Sequence, residues 1–246
     1  MQNYHIRNTF LAGVAKRVLS ETENRGATLR VLGGLGVYLG CPEFQGLLDE
    51  HREPLSDIDI IGLSSDVGRI EEAIGSLDYE QNESRKMLFG YQRRTFYTPE
   101  QITIEVYLDK LYLCQEIDLR SRLNVGSLWL SPTDLFLSRI QRVKLAPKDV
   151  LDLGVLLTSK ELGTDGPNTI NLGYIASLAA KSWPWWKTLH DNLSLLLSDP
   201  PSVLNPEPLR SRLLGLIEAI DQEHRSLGWR LRSLAGARIQ WFADVE

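Results

Sequence analysis

Every strand-like run in this chain lies before about residue 130, and almost everything beyond it recurs at helical spacing. In the first half, Thr28–Leu32 is a short β-prone run that stops at Gly33-Gly34. Asp57–Ile61 reads as a second strand, and Ile102–Leu108 (ITIEVYL) alternates cleanly between two faces. Met87–Tyr91 and Thr95–Tyr97 read as a hairpin turning near Gln92-Arg93. Helices frame these runs. Phe10, Leu11, Val14, Val18 and Leu19 recur at steps of three and four, predicting a helix over about 4–23 that ends at Asn24-Arg25-Gly26. A brief helix follows Gly33-Gly34, and Pro42 to Pro54 is an irregular or partly helical excursion. Ser64-Ser65-Asp66 caps another helix that runs to about Leu77.

After residue 130 the texture changes. Ser131-Pro132-Thr133-Asp134 has the cap, first-turn proline and following acid of a helix start. Pro147 opens a second helix, and Gly163–Asn168 is a loop. Further helices are predicted over about 171–182, 185–198, 207–224 and 227–243, with a proline-rich joint from Asp199 to Pro208. This segregation implies an α+β domain over 1–128, with a mixed sheet flanked by helices, followed by an all-helical domain over 129–246. A chain of 246 residues has room for both without covalent staples.

Composition narrows the partners. A net charge of −5 gives no global field that would draw the chain to nucleic acid, so such a partner needs a local basic patch. Two cysteines, Cys41 and Cys114, are too few for a secreted disulfide framework and fit a reducing cytoplasm. No stretch approaches the roughly 18 uninterrupted apolar residues of a membrane helix. The N-terminal segment has a short apolar run spaced helically among charges, unlike a signal peptide.

The chemistry concentrates in carboxylates. Asp57-Ile58-Asp59 places two acids on one face of a strand, about 6.6–7 Å apart along the chain. Paired carboxylates repel and resist desolvation, and hard divalent cations such as Mg²⁺ or Mn²⁺ relieve both. The bland alternative is a strand edge whose acids face water. Glu105 stands among aliphatics in ITIEVYL and shares a face with Thr103 and Tyr107. A strand paired beside Asp57–Ile61 would bring Glu105 to the same ions; otherwise it lies on a solvated face. Gly33-Gly34, between a strand and a helix, lets backbone N–H groups approach a phosphate at a helix N-terminus, or simply makes a turn.

Gly-Gly, an acid pair spaced by one apolar residue, and a third acid on a later strand resemble the DNA polymerase beta-like nucleotidyltransferase superfamily. The stretches LGGLGVYLGCPEF, REPLSDIDIIGLSSDVGRIEEAI, ITIEVYLDKLYLCQEIDLRSRL and SPTDLFLSRIQRVKLAPKDVLDLGVLL are similar to uncharacterised bacterial nucleotidyltransferase-like proteins and the broader AbiEii-type group. The likeness spans roughly residues 28–160. In that group a basic residue precedes the acid pair, matched by Arg52. A basic helix and a Lys/Arg-Asp pair follow the third acid, matched by Arg139, Arg142, Lys144 and Lys148-Asp149. The chain departs from the pattern at Leu35, where Ser or Thr is usual, at Glu105, where Asp is usual, and at Arg139, where Lys is common.

The resemblance implies a nucleotidyltransferase-like fold and a Mg²⁺- or Mn²⁺-dependent transfer of an NMP from an NTP to a hydroxyl acceptor, with pyrophosphate released. It implies Asp57, Asp59 and Glu105 as metal ligands and catalytic residues. It implies Gly33, Gly34, Arg52, Arg139, Lys144 and Lys148 as nucleotide contacts. The acceptor is RNA, a small molecule or a protein. Alternative readings are a toxin-like member with an antitoxin or other protein partner, and a catalytically weak nucleotide-binding scaffold. Trp183, Trp185 and Trp186 either stack bases or join two helices in a core. His5, His51, His190 and His224 are scattered without metal-ligand spacing.

Overall fold

A computed structural model describes residues 2–244 of the chain, with the side chains of residues 2 and 3 set aside. It divides into two compact units. The first comprises Met1–Tyr112 and Ile117–Ser131, and the second comprises Leu113–Glu116 and Pro132–Glu246.

The first unit is α+β. Its elements are α1 (Gln2–Asn24), β1 (Leu29–Val31), α2 (Gly33–Gly40), α3 (Gln45–His51), β2 (Asp57–Gly62), α4 (Val67–Gly75), β3 (Glu80–Gln81), α5 (Glu83–Phe89), β4 (Arg93–Tyr97) and β5 (Thr103–Leu108). A short two-stranded sheet follows, β6 (Lys110–Tyr112) with β7 (Glu116–Asp118). The five-stranded sheet has the order β1-β2-β5-β4-β3 and is mixed. β2 runs antiparallel to β1 and parallel to β5, and β4 runs antiparallel to β5.

The sheet has one apolar and one polar face because its strands alternate. Ile58 and Ile60 of β2, Ile104 and Val106 of β5 and Phe96 of β4 are buried on the first face. Burying each such side chain stabilises the fold by roughly 1.5–3 kcal/mol. Ile70 of α4 reaches Gly62 on this face, where a Cβ would also meet the tip of Leu29, so a larger residue at the strand end would have to displace that side chain. α1 packs against α4 through the buried stripe Leu11, Val14, Ala15 and Val18.

Two local expectations need correction in this unit. Met87–Tyr91 is not a strand: residues 83–89 form α5, and the hairpin joins β4 to β5 instead. Asn82 starts that helix, its side chain accepting from the Arg85 N–H at 2.9 Å. Ser64–Asp66 is a short 3₁₀ turn whose side chains do not cap α4. Asp109 holds that turn from outside, accepting from the Ser64 N–H at 2.9 Å and the Ser64 hydroxyl at 2.6 Å.

The second unit contains α6 (Pro132–Ile140), α7 (Pro147–Ser159), β8 (Glu161–Gly163), β9 (Thr169–Asn171), α8 (Leu172–Lys181), α9 (Trp183–Ser198), α10 (Pro206–Gln222) and α11 (Leu227–Ala235). It is therefore not all-helical. β8 and β9 pair in parallel across the loop 164–168 and bury Ile170. α11 stops well short of residue 243, because Gly236 takes φ +54 and leaves the helix. α6 is buried along its whole length, and Asn192 of α9 pins its end by donating to the Ile140 and Arg142 carbonyls, both at 2.7 Å. Trp183 and Trp185 are buried in this unit, and Trp186 packs edge-on to Trp229. No helix among the described residues is long and apolar enough to cross a membrane.

Candidate functional site

The polar face of the five-stranded sheet carries the candidate site. Strand register builds it in rows, since directly paired residues share a face. Asp57 pairs with Thr103, and Thr103 with Tyr97. Asp59 pairs with Glu105, and Glu105 with Thr95. Ile61 pairs with Tyr107, and Tyr107 with Arg93. Asp57, Asp59 and Glu105 thus lie on one face, with Asp59 and Glu105 side by side. Asp57 is exposed, Asp59 half-buried and Glu105 only 6% exposed.

The glycines meet the acids. Gly33 starts α2 at φ +68, and a Cβ there would strike the Asp59 carboxylate. Only glycine combines that backbone angle with that approach. At Gly34 a Cβ would collide with the Arg52 guanidinium and with Leu55. Consecutive glycines therefore bring Asp59 and Arg52 to the start of α2. That helix begins without a side-chain cap, Leu32 contributing none.

The Glu105 carboxylate is engaged on both oxygens. Oε1 accepts from the Arg85 guanidinium, and Oε2 accepts from the Thr95 hydroxyl at 3.0 Å. Arg93 Nε lies 3.8 Å from the same Oε2. Arg93 also sits 4.8 Å over the Phe89 ring. Burial raises the Tyr107 pKa, and the nearby Asp59 and Glu105 charges push it further up.

These donors fit a divalent cation at Asp57 and Asp59, because Mg²⁺ is commonly held by one or two carboxylates, with waters and substrate phosphates completing the shell. Glu105, expected as the third ligand, has different neighbours from the two aspartates, each of its oxygens accepting a hydrogen bond from Arg85 or Thr95. Among the described residues, no group of three His, Cys, Asp or Glu is arranged to hold an ion. Bringing Glu105 to a cation would compete with its ion pair to Arg85, whose own side chain is 45% exposed.

The remaining expected contacts lie in the second unit. Arg139 is 6% exposed and bridges two fully buried acids, Asp149 at 3.4 Å and Asp152 at 3.1 Å. Its guanidinium serves the core of that unit, which corrects its expected place as a nucleotide contact. Asp149 also accepts from the Ala146 N–H at 3.1 Å and from Arg142 at 3.3 Å, tying the start of α7 to α6. Lys144 and Lys148 are exposed, and Lys144 lines a cavity of about 360 Å³ with Cys114, Gln141, Arg142 and Phe242.

Arg85, Arg93 and Thr95 are the site-face residues that sequence reasoning missed. The cap signal at Asn82 marks α5 and would have placed Arg85 in its first turn; nothing local marks Arg93 or Thr95 as partners of Glu105. In the first unit a second cavity, of about 350 Å³, is lined by Tyr4, Arg7, Pro54, Leu55 and Ser56, and Ser56 Oγ donates to Asp57 at 3.1 Å.

No family model matches the chain, and no curated protein matches it. Among solved structures the chain is similar to that of the antibiotic-resistance factor ANT(2'')-Ia, with 12% identity and a TM-score of 0.35 over 94% of this chain and 98% of that one. At that level of similarity nothing about this chain's activity follows from it.

Proposed function

We infer that this chain is a nucleotidyltransferase that moves a nucleoside monophosphate from an NTP to a hydroxyl acceptor and releases pyrophosphate. One observation carries the reading: Asp57, Asp59 and Glu105 share one sheet face, and the glycine start of α2 abuts Asp59. The order of these residues along the chain, which resembles the polymerase beta-like superfamily, supports it.

Mg²⁺ or Mn²⁺ at Asp57 and Asp59, when bound, supplies charge neutralisation and polarises the reacting phosphoryl group. The chain's own residues do the rest. Backbone N–H groups at the uncapped start of α2 favour phosphate oxygens, and the Arg52 guanidinium beside Gly34 adds positive charge there. Leu35 provides no hydroxyl, so the backbone rather than a side chain makes that phosphate contact. The acceptor oxygen bonds to the α-phosphorus as the bond to the bridging oxygen breaks; pyrophosphate leaves and the hydroxyl proton is released. The acceptor is a hydroxyl of RNA, a small molecule or a protein.

The test is label transfer by the full-length chain from α-labelled NTPs to candidate acceptors in Mg²⁺. Wild type transfers label and Asp57→Ala/Asp59→Ala does not. Wild type that neither binds NTP nor transfers label contradicts the reading.

A further inference from the structure

We propose that Glu105 does not ligate metal but acts as a positioning residue that holds Arg85 and Arg93 as a paired-guanidinium cradle for the phosphates of the nucleotide. The inference rests on the nucleotidyl-transfer reading above and changes the part the third acid plays in it.

Three observations carry it. The first is the company of the Glu105 carboxylate, which accepts one hydrogen bond on each oxygen, from Arg85 and Thr95, and has Arg93 close by. The second is the direction of exposure. The Glu105 side chain is 8% exposed, whereas those of Arg85 and Arg93 are 45% and 30% exposed. The carboxylate is the inner partner and the guanidinium groups reach outward. The third is the orientation of Arg93: its Nε is buried, makes no hydrogen bond and lies 3.8 Å from Glu105 Oε2. That edge of the guanidinium is turned to the carboxylate, so the 30% of the Arg93 side chain that is exposed lies away from it.

The rows of the sheet show why this suits a metal–nucleotide. β2 presents a carboxylate strip, Asp57 and Asp59, and β4 with α5 presents a cationic strip, Arg93 and Arg85. Glu105 lies between them. A triphosphate with its cation has the same two-sided charge: the cation belongs at the acids and the phosphate oxygens at the arginines. Arg guanidinium groups match phosphate geometry, and their charge-assisted hydrogen bonds are stronger than neutral ones. Phe89 under Arg93 and Thr95 behind Glu105 restrict the rotamers of both, so less freedom is lost on binding.

Two probes separate the roles, both used on the full-length chain. Mn²⁺ alone, followed by its paramagnetic signal, reads the metal site. Inorganic tripolyphosphate in chelator, followed by calorimetry, reads the anion cradle without metal. Glu105→Gln retains Mn²⁺ affinity while Asp59→Asn loses it. Arg85→Ala and Arg93→Ala retain Mn²⁺ affinity and weaken tripolyphosphate about tenfold or more, the loss of one charge-assisted hydrogen bond. Arg85→Lys restores part of that binding. Arg85 is exposed enough for its variants to fold even if Glu105→Gln does not. The proposal is overturned if Glu105→Gln abolishes Mn²⁺ binding, or if tripolyphosphate binds the Arg85 and Arg93 variants as it binds wild type. In either case wild type still binds Mg²⁺–NTP and the nucleotidyl-transfer reading stands. Wild type that binds neither probe nor Mg²⁺–NTP overturns both.

Discussion

Asp59 and Glu105 are register partners in the parallel pair β2–β5, yet their carboxylates keep different company. Asp59 lies against the bare backbone of Gly33 at the start of α2. Glu105 is clasped by Arg85 and Thr95. Two acids on adjacent strands would repel if both faced a common void; arginines on one side and a helix start on the other make the pair tolerable. The same division separates a place for a cation from a place for an anion.

Gly33 is the position where the backbone serves the site most directly. Gly33→Ala forces an L-residue to φ +68 and drives its Cβ into the Asp59 carboxylate. We expect a loss of about 1–3 kcal/mol of stability, read as a lower urea midpoint, together with weakened nucleotide binding. Gly13→Ala is the matched control: it lies exposed within α1 with open space around its would-be Cβ. That change is expected to raise stability by about 0.5–1 kcal/mol. Equal effects of the two substitutions would contradict the account.

The site face was legible to different degrees. Alternation in ITIEVYL, and in the first four residues of DIDII, marks β5 and β2, because period two with buried isoleucines has few other solutions. The glycine pair was legible as a close approach, although not which side chain would approach it. α5 was misread because Met87, Leu88 and Phe89 are an apolar run; in the fold Met87 is 88% exposed, so the run answers to the Asn82 cap and not to burial. The clasp on Glu105 joins residues ten and twenty positions away in sequence through a sheet register and a helix. Local patterns do not encode such pairs. Arg139 illustrates the converse: its place in a basic helix suggested a ligand contact, and the fold gives it Asp149 and Asp152 instead.

Arg139 therefore has a clear expected phenotype. Arg139→Ala leaves Asp149 and Asp152 buried without that cation, and breaking a buried pair of this kind costs about 3–5 kcal/mol. Chemical unfolding monitored by tryptophan fluorescence, which reports on the second unit through Trp183 and Trp185, is expected to shift to lower denaturant. An unshifted transition would show that the network contributes nothing to stability.

Acid sensitivity is expected at Glu71. Burial pushes its carboxyl pKa up, but hydrogen bonds from Arg94, from Gln81 at 3.0 Å and from Lys86 at 3.2 Å outweigh it, and the net value falls below the ordinary 4.5. A carboxyl lowered in the folded state contributes stability that is complete above its unfolded pKa and lost as pH falls through the folded one. Wild type is thus more stable than Glu71→Gln near neutrality, and the gap narrows as pH drops below 4.5. Urea midpoints across that range check it; a gap that stays constant with pH would assign the difference to packing.

The most direct measurement is a titration of the full-length chain with Mn²⁺ and a non-hydrolysable NTP, observed by electron paramagnetic resonance. Wild type is expected to take up the Mn²⁺–nucleotide complex, and Asp57→Ala/Asp59→Ala, folded to the same degree, is expected to lose that uptake. Uptake by the double variant equal to wild type, or none by wild type, would contradict the claim that this face of the sheet is where nucleotide chemistry occurs.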